Sequence, residues 1–136
     1  MTYLKLNILP AIACLAFFSQ DVMAATTDVP DPFSQAVTAV RQKDYSTAYQ
    51  LFLHLAEEGD YDAQYNLAVL FKKGLGHPTH YQNALKWAFL AELGGIGKAT
   101  DMREELVGIM PEDTLELVRA ELFFVKPSLF APLIDS

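Results

Sequence analysis

The feature that most constrains this chain is an internal echo at a separation of 36 residues: Tyr45-x-x-Ala48, Gly59 and Ala63 recur as Tyr81-x-x-Ala84, Gly95 and Ala99. A unit of that length accommodates one helix-turn-helix, whose apolar face stays partly open unless a neighbouring unit stacks on it. An all-α fold of stacked helical hairpins is therefore expected. Such stacks offer extended surface for binding more readily than an enclosed pocket for chemistry.

The 136 residues suit one domain, and 51% hydrophobic against 20% charged residues is too apolar for a disordered chain. Part of that apolar content lies at the N-terminus. Lys5 precedes an apolar run from Leu6 to Phe18, and Val22-Met23-Ala24 places small or modest residues where signal peptidase acts. Residues 1–24 are expected to be a secretory signal peptide cleaved after Ala24. The run is interrupted by Pro10 and closed by Ser19-Gln20-Asp21, short of the roughly 20 apolar residues that span a bilayer. Cys14 follows Ala11-Ile12-Ala13, which leaves open an alternative in which the chain is a lipoprotein tethered through an acylated Cys14. Cleavage after Ala24 leaves a chain without cysteine, and hence without disulfide, thiolate nucleophile or cysteine metal ligand.

The net charge of −7 argues against nucleic acid and anionic membrane surfaces, which require clustered cations. The expected location is periplasmic or secreted, with no membrane insertion after cleavage.

Residues 25–32 are expected to be a polar linker. Asp31-Pro32 then opens a helix as N-cap and first position, and Phe33, Ala36, Val37 and Val40 form one face. A second helix is expected at about Ser46 to Glu58, ended by Gly59, and a third at about Tyr61 to Lys73, ended by Gly74. Gly74 to His80 is a loop, because two glycines and a proline within five positions cannot propagate a helix. Helices at Tyr81 to Leu93, Gly97 to Val107 and from Pro111 to about Leu122 complete three hairpins over 33–122.

The run Ala63-x-x-x-Leu67-Ala68-x-x-Phe71-x-x-Gly74-x-Gly76, then Tyr81-x-x-Ala84-x-x-Trp87 and Ala91-x-x-x-Gly95-x-x-x-Ala99, resembles the Sel-like repeat family, a longer-looped relative of the tetratricopeptide repeat. The resemblance covers 60–99 well and the flanking helices in part. It departs at Ala68, where the family usually has glycine, and at His77 and His80, where valine and aspartate are common. It implies a short right-handed α-solenoid of about three helical hairpins, and an adaptor or regulator role in a bacterial envelope. Independently of the family, Ala63, Ala84, Ala88 and Ala99 suit close helix crossings, and Trp87 is expected to fill the wedge between hairpins.

Three histidines are the sole metal-ligand candidates of the expected mature chain. His77-x-x-His80 flanks a loop and lacks an obvious third ligand, since His54 is distant in sequence and expected on a solvated face. Both are expected to be ordinary loop residues; the alternative is a metal-dependent enzyme or metal-binding protein using His77 and His80. No Ser-His-Asp grouping or phosphate-binding glycine loop is present, and Glu57-Glu58, Glu104-Glu105 and Glu112-Asp113 are adjacent pairs whose members point in different directions on a helix. No catalytic residue, metal or cofactor is expected. The expected activity is binding of a protein or peptide.

Carrying the family's groove positions onto this sequence implies a binding surface formed by Asp62, Tyr65, Val69, Lys72 and Lys73 of the third helix with Lys98, Asp101 and Glu105 of the fifth. A tyrosine among charges of both signs can anchor a partner while the charges discriminate. Residues 123–136 combine two prolines with Phe123, Phe124, Leu129, Phe130, Leu133 and Ile134. This apolar tail is expected either to cap the open end of the stack or to serve as a recognition motif or groove plug.

Overall fold

Helix starts are written into the sequence as short acceptor side chains. The computed structural model describes residues 29–127, which form six α-helices and no strand: α1 Pro32–Arg41, α2 Tyr45–Glu57, α3 Tyr61–Lys73, α4 Tyr81–Leu93, α5 Gly97–Ile109 and α6 Glu112–Val125. Asp31, Asp44 and Asp60 each accept a hydrogen bond from the backbone N–H three residues on, at 3.0, 3.2 and 2.7 Å, and so satisfy donors that a helix N-terminus leaves open. α5 and α6 have no side-chain cap. The expected leader, the alternative acylation at Cys14, most of the 25–32 linker and residues 128–136 of the expected tail lie outside the described residues.

Three-residue connections join α1 to α2, α2 to α3 and α4 to α5, and each consecutive pair from α1 to α5 packs together. α6 packs on α4. The longer α3–α4 loop is fixed at two glycines. Gly74 ends α3 in the left-handed region at φ 66°, and Gly76, at φ 69°, approaches the start of α2 so closely that a Cβ would stand 2.4 Å from the Tyr45 carbonyl oxygen.

The 36-residue echo has a structural counterpart. Tyr45 and Tyr81 are the first residues of α2 and α4, Gly59 and Gly95 both take positive φ, and Ala48, Ala63, Ala84 and Ala99 are fully buried. The small side chains let helix backbones approach while Phe52, Leu67 and Leu106 fill the space between them. Trp87 differs from its expected place as a wedge between hairpins. It is half-buried, with part of its ring packed against the core and part open, because it sits one position before the fully buried Ala88 and so faces the rim of the α4 packing surface.

α6 continues through Phe123, Phe124 and Val125, since no helix breaker precedes Pro127. Its apolar residues divide between two faces. Leu115, Val118 and Leu122 are buried, whereas Leu117 and Phe124 are 65% and 83% exposed. No helix among the described residues is long and apolar enough to cross a membrane.

Candidate functional site

On α3, Asp62, Tyr65, Val69 and Lys72 follow one another at spacings of three and four, and on α5 Lys98, Asp101 and Glu105 do the same, so each set shares a helix face. The two faces meet at an ion pair between Lys72 and Glu105, both partly exposed. Tyr65 and Val69 are half-buried and pack against the core, leaving their outer atoms at the surface. Asp62, Lys73, Lys98 and Asp101 are exposed, and none has an ion-pair partner among the described residues. Lys86 and Glu121, 2.6 Å apart, make a second pair between helices two apart in sequence, from α4 to α6.

The histidines have local partners. His80 is the N-cap of α4: its Nδ1 accepts from the Asn83 N–H at 3.2 Å, which puts the proton of the neutral ring on Nε2. His77 stacks on Tyr49 with ring centroids 5.4 Å apart, meets Phe71 edge-on at 4.8 Å, and donates from Nδ1 to the Pro78 carbonyl oxygen at 2.7 Å. His54 is exposed on α2, with Nε2 3.7 Å from Glu58. Among the described residues no three histidine, cysteine or carboxylate side chains converge on one point.

Three concavities are lined by residues other than the α3–α5 set. One, of about 260 Å³, lies between α4, α5 and α6 with Leu85, Phe89, Val107 and Leu115 in its walls; its two arginines are already paired, Arg103 with Glu92 at 2.5 Å and Arg119 with Glu116 at 2.6 Å. A shallower one, of about 300 Å³, lies where His80 and Tyr81 face the α5–α6 connection. The third, of about 330 Å³, lies between the end of α2, the start of α3, the middle of α4 and the end of α6; Tyr61, Trp87, Leu90 and Val125 line it together with the charged Glu57, Lys86 and Lys126.

Gln64 also lines this third pocket, and the sequence reading passed over it. Its residue exposure is 5%; Nε2 donates to the Ala56 carbonyl oxygen at 3.1 Å, and Oε1 has no partner. The carbonyl at Ala56 fixes which end of the amide faces it, since only the NH₂ can donate. A signal was present in the sequence, because Gln64 interrupts the apolar stripe of Ala63, Leu67, Ala68 and Phe71 with a polar side chain.

Comparison of the chain with protein-family models, with curated proteins and with solved structures finds no match.

Proposed function

We propose that the chain is an exported protein-protein interaction module of the Sel-like helical-repeat type, a short right-handed α-solenoid of three hairpins that binds a protein or peptide across α3 and α5. It acts without catalysis, as an adaptor or regulator in a bacterial envelope. The repeat reading is supported by the matched positions of the 36-residue echo, which give the two tyrosines, the two positive-φ glycines and the buried alanines equivalent places in successive hairpins.

The observation that carries the binding reading is the Lys72–Glu105 pair. It holds the two candidate faces side by side, with the exposed charges of Asp62, Lys73, Lys98 and Asp101 around the partly open Tyr65. Partly exposed ion pairs contribute little to folding, about 0–1 kcal/mol, whereas unpaired surface charges can orient and select a partner.

The test is charge reversal at Lys73 and Lys98 together, which spares the Lys72–Glu105 link. Partner recovery from envelope fractions should fall while the circular dichroism spectrum and melting temperature stay unchanged. Equal recovery by the double variant would reject this face.

A further inference from the structure

The pocket between α2, α3, α4 and α6 contains an unmet polar requirement. Gln64 Oε1 is buried without a hydrogen-bond donor among the described residues, while Nε2 of the same side chain is committed to the Ala56 carbonyl oxygen at 3.1 Å. A buried acceptor left without a donor is costly, and native proteins rarely retain one. The rest of the wall is mixed. Tyr61, Trp87 and Leu90 supply apolar surface, and Glu57, Lys86 and Lys126 supply charge.

The three charges differ in what already holds them. Lys86 is engaged twice, by Glu121 at 2.6 Å and by the Trp87 ring, whose centroid is 5.5 Å from the ammonium. Glu57, exposed at the last position of α2, and Lys126, half-buried at the C-cap of α6, have no ion-pair partner among the described residues. The pocket therefore offers one available carboxylate, one available ammonium, an amide oxygen that lacks a donor, and an aromatic and aliphatic wall. A ligand complementary to all four carries an ammonium, a carboxylate and an apolar side chain, which is the chemistry of an apolar α-amino acid. An ammonium has three donors, so it can satisfy Gln64 Oε1 and Glu57 together. A purely apolar molecule would leave the Gln64 oxygen without a partner, and an anion without a cation would meet Glu57 as a like charge. At about 330 Å³ the pocket stands at the small end of ligand sites, about 300–1,000 Å³, and suits one residue better than a long chain.

We infer that this pocket binds a free apolar α-amino acid, such as leucine, as its zwitterion. The side chain lies against Tyr61, Trp87 and Leu90, the ammonium donates to Gln64 Oε1 and Glu57, and the carboxylate accepts from Lys126. This inference is independent of the α3–α5 binding reading, because none of the residues assigned to that face lines the pocket.

Trp87 is the single tryptophan of the chain and stands in the pocket wall, so its fluorescence reads occupancy directly. The full-length protein is titrated with L-leucine, with L-leucine amide, which lacks the carboxylate, and with N-acetyl-L-leucine, which lacks the ammonium. Leucine should give a saturable change in Trp87 emission, and each derivative should bind about tenfold or more weakly, the scale of one lost hydrogen bond to a charged group. Lys126→Gln and Glu57→Gln should each weaken leucine by a similar factor, with the circular dichroism spectrum and melting temperature of the unliganded protein unchanged. The absence of a saturable response to leucine, isoleucine, methionine and phenylalanine at millimolar concentration would overturn the inference, and so would unchanged leucine affinity in both variants. N-acetyl-L-leucine binding as tightly as leucine would overturn it too, by identifying the carboxyl end of a peptide as the ligand.

Discussion

The Tyr61 ring packs closely on Gly94: a Cβ added to Gly94 would stand 2.0 Å from Tyr61 Cγ. Gly94 has an ordinary φ of −81°, so the contact, not the backbone conformation, requires glycine here. This approach joins the start of α3 to the end of α4 and fixes one wall of the pocket that contains Trp87. Gly94→Ala should destabilise the protein by about 1–3 kcal/mol through overpacking. Gly108, inside α5 with open space around it, gives the opposite case. Gly108→Ala should stabilise by about 0.5–1 kcal/mol by restricting the unfolded chain. Denaturant melts of the two variants check both signs.

Trp87 and Phe52 should respond unequally to truncation. Phe52 is 1% exposed and touches Phe33 edge-on at 5.6 Å, so Phe52→Ala should cost about 3–5 kcal/mol. Trp87 is only half-buried, and Trp87→Ala should cost about 1–3 kcal/mol, since only the covered part of the ring contributes. Equal losses in chemical denaturation would place Trp87 in the core after all.

The histidines near the α3–α4 loop are predicted to stabilise the fold through local contacts. His80→Ala removes the α4 cap and should cost about 1 kcal/mol, and His80→Asn should restore most of it, because asparagine caps well. His77→Ala loses the rings of Tyr49 and Phe71, worth about 0.5–1.5 kcal/mol. Thermal melts with and without added zinc distinguish this account from a metal site. Zinc should leave the parent unchanged; a rise in melting temperature that His80→Asn abolishes would favour metal binding.

Acid should loosen the first two helices. The Ser34 hydroxyl, and then its backbone N–H, hold the Asp31 carboxyl below the usual aspartate value of 3.8, and Thr47 does the same for Asp44. With the folded value lowered, the ionised caps stabilise the fold fully above the unfolded value, and that contribution disappears as pH falls through the folded one. Asp31→Asn with Asp44→Asn keeps both caps without the titration. The double variant should therefore lose less stability than the parent below about pH 3.8 when melting temperature is followed on acidification. An unchanged acid profile would contradict the cap assignment.

The ends of α3 and α4 were legible because glycine follows each, and the start of α4 because the glycine- and proline-containing loop stops at His80; the capping roles of Asp60 and His80 emerge only in the structure. α5 and α6 were less legible. Neither has a side-chain cap at its start or a glycine at its end, the C-caps being Met110 and Lys126; α5 runs two residues past its expected end at Val107 and α6 runs to Val125, beyond the point where Phe123 and the later prolines suggested a tail. The α3 and α5 faces come from carrying the family's groove positions onto this sequence; their three-and-four spacing puts each set on one side of its helix. The Lys72–Glu105 contact was not legible, because nothing local in sequence sets the stagger between two helices. The Gln64 pocket was hidden for the same reason: its walls come from α2, α3, α4 and α6, and only tertiary packing brings Ala56, Tyr61, Trp87 and Val125 together.

Site-specific photo-crosslinking in the cells that make the protein tests the α3–α5 binding claim most directly, with the reactive side chain placed in turn at Lys73, Lys98 and, on exposed α2 surface, Gln50. The account predicts a discrete adduct of one mass from Lys73 and Lys98 and none from Gln50. The same adducts from all three positions, or an adduct from Gln50 alone, would contradict it.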